Sequence, residues 1–371
     1  MKIISRDTVR MGAEQGLTHS KTFPAMEILP SGRILVGFRA AEKKTDPLHK
    51  RAMMTWSDDG GRSWREPFEP LALPAVEGRT GQSQTVYFLS LGGERVFAVI
   101  NWVDHSEPEN PYYDPHNESL KDTRIFTSMS MDGGATWGDA QLMDTSGAGG
   151  PVPLTGPPFK LRDGRIACQF EINKYAHDAH EWVHRSSLIF SQDEGKSWGD
   201  MVTVTREPGK YYWDQRPNVL QDGTSVVNFF WTFDGVTQSY LNIHASLSED
   251  GGRSWSKLWD TGIYGQPGRP IGLRDGRIVT IDIDRSEVPV ISVRISDDLG
   301  QTYSQSLEIY RQGPAQDSKR MDMNRAWEEM YKFSVGHPQL LYLDEHSLMA
   351  YYYVGHDADH TEIAYVKISM P

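Results

Sequence analysis

The residues of this 371-residue sequence that could perform chemistry are aspartates, arginines and histidines near the ends of predicted strands. Asp46 and Asp214 supply carboxylates, and hydrolysis of a glycosidic bond needs two carboxyl groups on opposite sides of that bond. His337 is of a residue type that can orient water, bind a substrate or remove a proton. The arginines that could grip a carboxylate or sulfate, or instead form ion pairs within the fold, are Arg39, Arg216, Arg269 and Arg285. Further side chains that could contact a sugar are Trp102, Trp213 and His177.

Five segments share the pattern Ser-x-Asp-x-Gly-x-Ser/Thr-aromatic, which indicates the elements that must position these side chains. The segments are residues 57–64, 130–137, 191–198, 248–255 and 296–303. The aspartate of such a segment can accept hydrogen bonds from backbone amides, and the glycine can take a positive φ. The aromatic ring can pack between neighbouring sheets. The pattern therefore predicts one β-hairpin turn, repeated five times.

A second repeated element consists of an apolar run, a tight turn and another apolar run. Its six copies are residues 24–36, 85–97, 158–166, 217–227, 270–279 and 338–348. Asp-Gly between alternating apolar residues favours a hairpin. Six inner and five outer hairpins predict an all-β fold, a six-bladed β-propeller with four-stranded blades. We expect residues 361–368 and the N-terminal residues 2–5 to complete the sixth blade, so that residues 1–371 form a single domain.

The fivefold pattern resembles the Asp-box of sialidases and related proteins with bacterial neuraminidase repeats. In a propeller of this kind the Asp-box hairpins lie on one rim. The loops before the first strand and after the second strand of each blade open on the other face. The resemblance implies that Arg39 and Asp46 correspond to the family's second arginine and its acid/base aspartate. It also implies that Arg285 belongs to the carboxylate-binding triad and that Asp214 stands where a glutamate partners the nucleophile.

Two positions depart from the sialidase pattern. The family's Arg-Ile-Pro in blade 1 corresponds to Thr-Phe-Pro at residues 22–24, and its nucleophilic tyrosine corresponds to His337. We therefore expect an atypical glycoside hydrolase, exo-acting on a terminal acidic or deoxy sugar, with Asp46 as general acid and Asp214 as second carboxylate. One alternative is a lyase that acts on a uronate with His337 as base. The other is a propeller that binds glycans without catalysis.

Composition excludes other classes of function. The net charge of -12 argues against a nucleic-acid partner, since such proteins need a basic face. The sequence lacks both an apolar stretch of about 20 residues and a secretory signal, so we expect a cytoplasmic protein with no membrane partner. The single cysteine, Cys168, excludes an intrachain disulfide and a cysteine-based zinc site. We expect no cofactor and no metal, because the spacing of His177, His180 and His184 matches no known signature. The sequence of residues 320–332 predicts a short helix before blade 6. The sequence does not indicate an oligomeric state.

Overall fold

Strands alternate with tight turns along the chain, as apolar runs interrupted by glycine-containing turns require. The computed structural model describes residues 1–11, 19–46, 48–114, 116–179, 181–313, 330 and 332–371. His180 and most of the helix predicted over residues 320–332 lie outside these ranges. Within them, no helix is long and apolar enough to cross a membrane.

The chain forms 27 strands in these ranges. Those of the N-terminal half are β1 (Lys2–Thr8), β2 (Ser20–Ile28), β3 (Ile34–Ala41), β4 (Arg51–Ser57), β5 (Gly81–Gly92), β6 (Arg95–Asp104), β7 (Tyr113–Asp114), β8 (Ser119–Leu120), β9 (Thr123–Ser130), β10 (Gln141–Leu142), β11 (Phe159–Lys160), β12 (Ile166–Ile172) and β13 (Arg185–Ser191). Those of the C-terminal half are β14 (Gly199–Arg206), β15 (Lys210–Val219), β16 (Val226–Asp234), β17 (Ser239–Tyr240), β18 (Asn242–Ser248), β19 (Trp259–Tyr264), β20 (Gln266–Pro267), β21 (Ile271–Gly272), β22 (Ile278–Asp284), β23 (Val290–Ser296), β24 (Gln305–Arg311), β25 (Val335–Asp344), β26 (Ser347–Gly355) and β27 (Thr361–Ser369). A single 3-10 turn, Ser146–Ala148, lies between β10 and β11.

Antiparallel pairing groups these strands into six small sheets arranged in a ring, which confirms the six-bladed β-propeller. Blades 1 to 6 have the strand orders β2-β3-β4, β5-β6-β9-β10, β11-β12-β13-β14, β15-β16-β18-β19, β20-β22-β23-β24 and β25-β26-β27-β1. The strand β1 pairs with β27 from Lys2 opposite Ser369 to Thr8 opposite Ala364. The two ends of the sequence therefore share blade 6 and close the ring, as predicted.

Blade 1 corrects the prediction of six four-stranded blades. Its sheet has three strands, and a single bridge between Met54 and Phe68 stands at the place of the fourth. The backbone groups of these two residues exchange both hydrogen bonds, at 2.8 and 2.9 Å. The segment after the first repeated turn is thus tied to β4 at one point instead of forming a strand.

The five repeated segments adopt one turn, which follows the third strand of blades 1 to 5. In the blade 3 copy the Ser191 hydroxyl donates to Asp193 and accepts the N–H of Gly195, at 2.8 and 2.7 Å. Asp193 in turn accepts hydrogen bonds from the backbone and hydroxyl of Ser197. The same bonds recur in the other four copies, whose aspartates are Asp59, Asp132, Asp250 and Asp298. The turn is therefore built from local side-chain-to-backbone bonds.

Apolar clusters fill all six interfaces between neighbouring blades, so the core is divided around the ring. Val36 of blade 1 packs with Tyr351 of blade 6, for example, and Leu188 of blade 3 packs with Val226 of blade 4. The remaining interfaces are filled by four further clusters of buried side chains. This division leaves the centre of the ring available for polar side chains.

Candidate functional site

Four first strands, β2, β5, β15 and β25, carry a β-bulge, and in three of them a non-glycine residue with positive φ lies at the bulge. The pairing register shifts around Phe23 in β2, Asp214 in β15 and His337 in β25. These residues have φ values of 52, 48 and 48°, which is left-handed backbone that non-glycine residues rarely adopt. Such a conformation costs about 1–2 kcal/mol per residue, and a bulge re-aims the side chain it carries. The three bulges direct Phe23, Asp214 and His337 into one central cavity.

The central cavity has a volume of about 190 Å³ and is lined by residues of all six blades. They come from the first strands, from the ends of the second strands and from the loops that follow. Its polar and aromatic lining residues include Phe23, Arg39, Lys44, Lys50, Gln84, Tyr87, Asn101, Glu171, Asn173, Trp213, Asp214, Gln266, Arg285, His337 and Tyr353. The repeated turns follow the third strands and contribute none of these residues.

Among the residues that the structure describes, four basic side chains lie in the cavity lining: Arg39, Lys44, Lys50 and Arg285. Burial lowers the pKa of Lys44 well below its ordinary value, and the charges of Arg39 and Arg285 lower it further. Burial, followed by the charge of Arg39, lowers the pKa of Lys50 to about 7. The cations therefore destabilise one another, and an anion in the cavity would relieve their repulsion.

The cavity cations are held in place by hydrogen bonds to the surrounding backbone and by aromatic rings. Arg285 donates to the carbonyl of Val335 at 3.0 and 3.2 Å and to Gln266 Oε1 at 2.9 Å. Lys44 Nζ donates to the carbonyls of Met330 and Phe333 at 2.7 and 2.5 Å. These contacts within the protein fix the positions of Arg285 and Lys44 in the cavity wall.

The second arginine of the cavity, Arg39, sits beside the bulge of β2. It donates to Thr22 Oγ1 at 3.2 Å, and its guanidinium lies 4.2 Å from the ring centre of Phe23. A guanidinium over an aromatic face is attracted by the ring and is weakly hydrated, which suits a buried position. Arg39 thus lines the cavity, as its predicted substrate-binding role requires.

Asp214 lies in the cavity next to a second carboxylate, that of Glu171. The backbone N–H of Asp214 donates to Glu171 Oε1 at 2.7 Å, and Gln266 donates to the Asp214 carboxyl group. Arg216 Nη2 lies 3.5 Å from Asp214 Oδ1. Burial raises the pKa of Asp214, the charge of Arg216 opposes that rise, and Glu171 adds to it, so that the net shift is upward. An aspartate in this setting can hold a proton near neutral pH better than an exposed one.

His337 lies between Phe23 and Tyr353, with ring centres 4.2 and 6.3 Å away. Burial lowers the pKa of His337 well below its ordinary value, and the neighbouring charges of Arg216, Arg285, Lys44 and Arg39 lower it further. Its imidazole is consequently neutral at neutral pH, which is the protonation state that a general base requires. The same cations weaken it as a base, so an anion in the cavity that offsets their charge would raise its basicity.

Glu171, Lys44, Lys50 and Tyr353 were not assigned roles from the sequence, although they line the cavity. Glu171 and Tyr353 lie near the ends of second strands, the position already recognised for Arg39. Lys44 and Lys50 follow the second strand of blade 1, in the same loop region as Asp46. All four positions lie at or after the end of a second strand, where site residues were expected from the sequence. Their residue types alone did not single them out.

Asp46 is not among the cavity-lining residues in the described part of the chain. Its Oδ1 accepts the N–H groups of Leu48 and His49 at 2.8 and 3.2 Å. Burial raises the pKa of Asp46, but these hydrogen bonds outweigh it and the net shift is downward. Its role as general acid stays a prediction, one that this geometry does not favour.

Arg216 is buried, Arg269 is partly buried, and both are bonded within the fold. Arg216 donates to the carbonyls of Thr155 and Gln215, and its guanidinium lies 3.5 Å from the Asp214 carboxyl group. Arg269 donates to Asn218 Oδ1 at 2.7 Å, and the described residues that line the cavity do not include it. Burial raises the pKa of Glu27 to about 7, which the charge of Arg269 opposes. These placements favour the ion-pair alternative for both arginines.

The three remaining candidates are divided between the cavity, the core and the surface. Trp213 lines the cavity. Trp102 is 0 % exposed and packs with Val76 and Phe126, so its ring is a core element. His177 is exposed, stacks on Tyr175 and lies away from the described cavity lining.

No protein-family model matches the chain. A sialidase of Micromonospora viridifaciens is 24% identical over 247 residues, which are 63% of this chain and 36% of that protein. Among solved structures, the sialidase NanB of Streptococcus pneumoniae aligns with a TM-score of 0.64 at 11% identity, covering 98% of this chain and 70% of that chain. The fold is that of the sialidases.

Other solved structures with this fold include one whose function is unknown. The Trypanosoma rangeli sialidase, solved as a covalent intermediate with 2,3-difluorosialic acid, aligns with a TM-score of 0.63 at 11% identity, over 94% of this chain and 54% of that chain. A protein of unknown function from Dyadobacter fermentans aligns with a TM-score of 0.75 at 18% identity, over 100% of this chain and 99% of that chain. Sequence identities this low show that the fold is shared but not that the activity is. The chemistry is therefore argued from the residues of the cavity.

Proposed function

We propose that this propeller is a glycosidase that removes a terminal acidic sugar from a glycan. The observation that carries the proposal is a set of four basic side chains around a cavity that also holds Asp214 and His337. Arg39 and Arg285 supply positive charge, and Lys44 and Lys50 can gain it when an anion raises their lowered pKa values. In a chain with a net charge of -12, such a local concentration of positive charge favours an anionic ligand. The cavity volume of about 190 Å³ suits one sugar unit better than the larger ligands of 300–1,000 Å³ sites, which supports exo-action.

In this proposal Asp214 is the general acid and His337 the general base. Asp214, whose pKa burial raises, gives its proton to the glycosidic oxygen as the bond from that oxygen to the anomeric carbon breaks. Neutral His337 takes a proton from the water molecule whose oxygen bonds to the anomeric carbon. Solvent then returns one proton to Asp214 and removes one from His337.

Glu171 acts in this proposal as a positioning residue. Its carboxylate accepts the N–H of Asp214 at 2.7 Å and lies 3.3 Å from His184 Nε2. It therefore holds the strained backbone at Asp214 and places a negative charge beside that carboxyl group. Arg39 and Arg285 are the groups that grip the substrate's acid.

A second candidate function, elimination on a uronate, is favoured by the neutral imidazole of His337 among cations. Elimination requires cations that neutralise the sugar carboxylate and a base that removes the adjacent proton. His337 would take that carbon-bound proton, a double bond would form in the ring, and Asp214 would protonate the departing oxygen. The two reactions use the same pair of residues and differ in their products.

The test is incubation of the protein with oligosaccharides that end in a sialic acid, a uronic acid, a sulfated sugar or a neutral sugar. Hydrolysis adds the mass of one water to the substrate, whereas elimination adds none and gives an unsaturated sugar that absorbs ultraviolet light. We expect cleavage of an acidic substrate, with kcat reduced about 10²–10⁴-fold in Asp214→Asn and His337→Gln.

Exposed residues provide matched controls for these two variants. Asp139→Asn in blade 2 and His346→Gln in the β25–β26 turn change the same side chains far from the cavity. Their kcat should equal that of the parent protein. Binding of an acidic sugar without any product would exclude both reactions and identify a glycan-binding propeller.

A further inference from the structure

The turn between β26 and β27 brings two histidines and an aspartate together outside the cavity. His356 Nε2 lies 2.8 Å from Asp357 Oδ2, and His360 Nδ1 lies 2.9 Å from Asp357 Oδ1. One ligand atom from each of the three residues lies within 4.8 Å of the other two. This cluster is open to solvent, since the exposed fractions of the His356, Asp357 and His360 side chains are 75, 48 and 53%.

The donor set is that of a divalent transition metal. Imidazole nitrogens suit Zn²⁺, Cu²⁺ and Ni²⁺, and a carboxylate oxygen is a common third ligand of Zn²⁺. His356 and His360 have the His-x3-His spacing found in zinc sites. Three protein ligands leave one position of a tetrahedral site for water or another group.

A third imidazole lies beside this cluster. The His19 ring stacks on His360 with ring centres 5.5 Å apart, and His360 stacks on His356 at 4.9 Å. The His19 carbonyl accepts the N–H of Thr361 at 2.9 Å, which holds that residue next to the turn. His19 thus adds a third imidazole next to the two histidines of the turn.

Hydrogen bonds within the turn hold the three ligands in position. Asp357 Oδ1 accepts the N–H groups of Asp359 and His360 at 2.8 and 2.9 Å. Asp359 Oδ1 in turn accepts the N–H of Lys44 at 2.9 Å, which ties the turn to the loop after β3. These bonds fix the backbone of the turn and keep the three side chains close together.

We propose that His356, Asp357 and His360 form a binding site for a divalent transition-metal ion, with Zn²⁺ as the representative ion. Neutral imidazoles and an ionised carboxylate would replace their mutual hydrogen bonds by bonds to the metal. The site is separate from the acid–base pair, because none of its three ligands lines the central cavity. The proposal does not depend on the proposed glycosidase activity.

The test is isothermal titration of Zn²⁺ into tag-free protein that has been stripped of metal with a chelator. We expect one ion per chain, and an affinity at least about tenfold lower in His356→Ala and in His360→Ala. Asp357→Asn retains an oxygen that can accept the backbone N–H groups but loses the charge, and its affinity should fall as well. Mg²⁺ should not compete, since it prefers oxygen ligands.

The matched control is His346→Ala, because His346 is an exposed histidine at the opposite end of β26. It should bind Zn²⁺ as the parent protein does. Anomalous diffraction from a zinc-soaked crystal of the unaltered protein gives a second readout that needs no variant, with the peak expected between the three side chains. Absence of Zn²⁺ binding, equal affinity in the histidine variants, or a peak elsewhere would overturn the proposal.

Discussion

The two ends of the propeller are built in opposite ways. At one end, five turns repeat the same bonds, as when the Ser191 hydroxyl and the Asp193 carboxylate close the turn at Gly195. At the other end, the six blades contribute different residues to one cavity, including Phe23, Asp214 and His337 at three bulges. At the first end, the hydrogen bonds that form each turn lie within a single blade, whereas the cavity at the second end exists only when the ring is closed.

This difference indicates where stability and chemistry are located. The hydrogen bonds of each repeated turn lie within eight residues, so the same turn can form in every blade. A cavity with four cations and buried carboxyl groups contains repulsion and strained backbone, which the surrounding ring must hold in place. Changes at the two ends should therefore have different consequences.

After the acid–base variants, the largest effect is expected in the cavity, from Arg285→Met. This variant loses the charge and leaves the Val335 carbonyl and the Gln266 side chain without their donor. We expect kcat/KM on an acidic substrate to fall by about 100-fold, since a hydrogen bond to a charged group contributes about 1.5–3 kcal/mol. Arg285→Lys should lose less, because the charge remains while the fork of donors is lost. Equal losses in the two variants would show that packing of the side chain, and not its charge, matters.

The next effect is expected at the turns, from Gly195→Ala. Gly195 has a φ of 88°, and an added Cβ would lie 2.3 Å from a ring carbon of Phe97. Strain and overpacking together should lower the free energy of unfolding by about 3 kcal/mol, with kcat unchanged. The control in the same blade is Gly164→Ala, with a φ of 93° and no atom within 4 Å, which should cost about 1 kcal/mol. Denaturant unfolding measures both, and equal losses would contradict the packing argument.

A smaller effect is expected from pH, through Lys50. Its pKa of about 7 means that it is charged below that pH and neutral above it. Affinity for an acidic sugar should therefore fall about tenfold as the pH rises from below 7 to above it, the value for one charge-assisted hydrogen bond. In Lys50→Arg the affinity should stay high above pH 7, and in Lys50→Met it should be low throughout. A pH profile of Lys50→Met that matched the parent protein would assign the titration to another group.

The smallest effect is expected from the repeated turn of blade 5. Hydrogen bonds, first that from the Thr302 hydroxyl, lower the pKa of Asp298 from 3.8 to about 2. Its contribution to stability is present above pH 3.8 and is lost as the pH falls through about 2. Asp298→Asn should remove this loss, an effect below about 1 kcal/mol because the carboxylate is exposed. The measurement is acid unfolding compared with that of Asp297→Asn, which changes a variable position of the same segment. Identical curves would argue against the turn bonds.

The central cavity was only partly predictable from the sequence. Four residues that were expected at the site do line the cavity: Arg39, Asp214, Arg285 and His337. They were found because the loops before the first strand and after the second strand of each blade were expected to open on the same face. Asp46, although only seven residues beyond Arg39, instead binds the backbone of its own loop. A spacing along the chain does not determine which polar partner a carboxylate finds.

Trp102 illustrates the other limit. It lies near the end of a second strand, as Arg39 does, yet it is fully buried. The reason is Gly81 on the neighbouring strand, where an added Cβ would lie 1.8 Å from the Trp102 indole nitrogen. The missing side chain makes room for the ring, and such a pairing across strands is visible only after the register is known.

The sequence by itself determined the number of blades, the turns and the closure of the ring, because each depends on residues that are close in sequence or on a matching terminal strand. That residues 1–371 form one domain and that the protein is cytoplasmic stay predictions. Only the tertiary structure decided which charges share the cavity and which lie in ion pairs. Lys44, for instance, has its pKa lowered by burial, by Arg39 of its own blade and by Arg285 of blade 5. Such effects arise where six blades meet, and they depend on burial and distance, which no local pattern encodes.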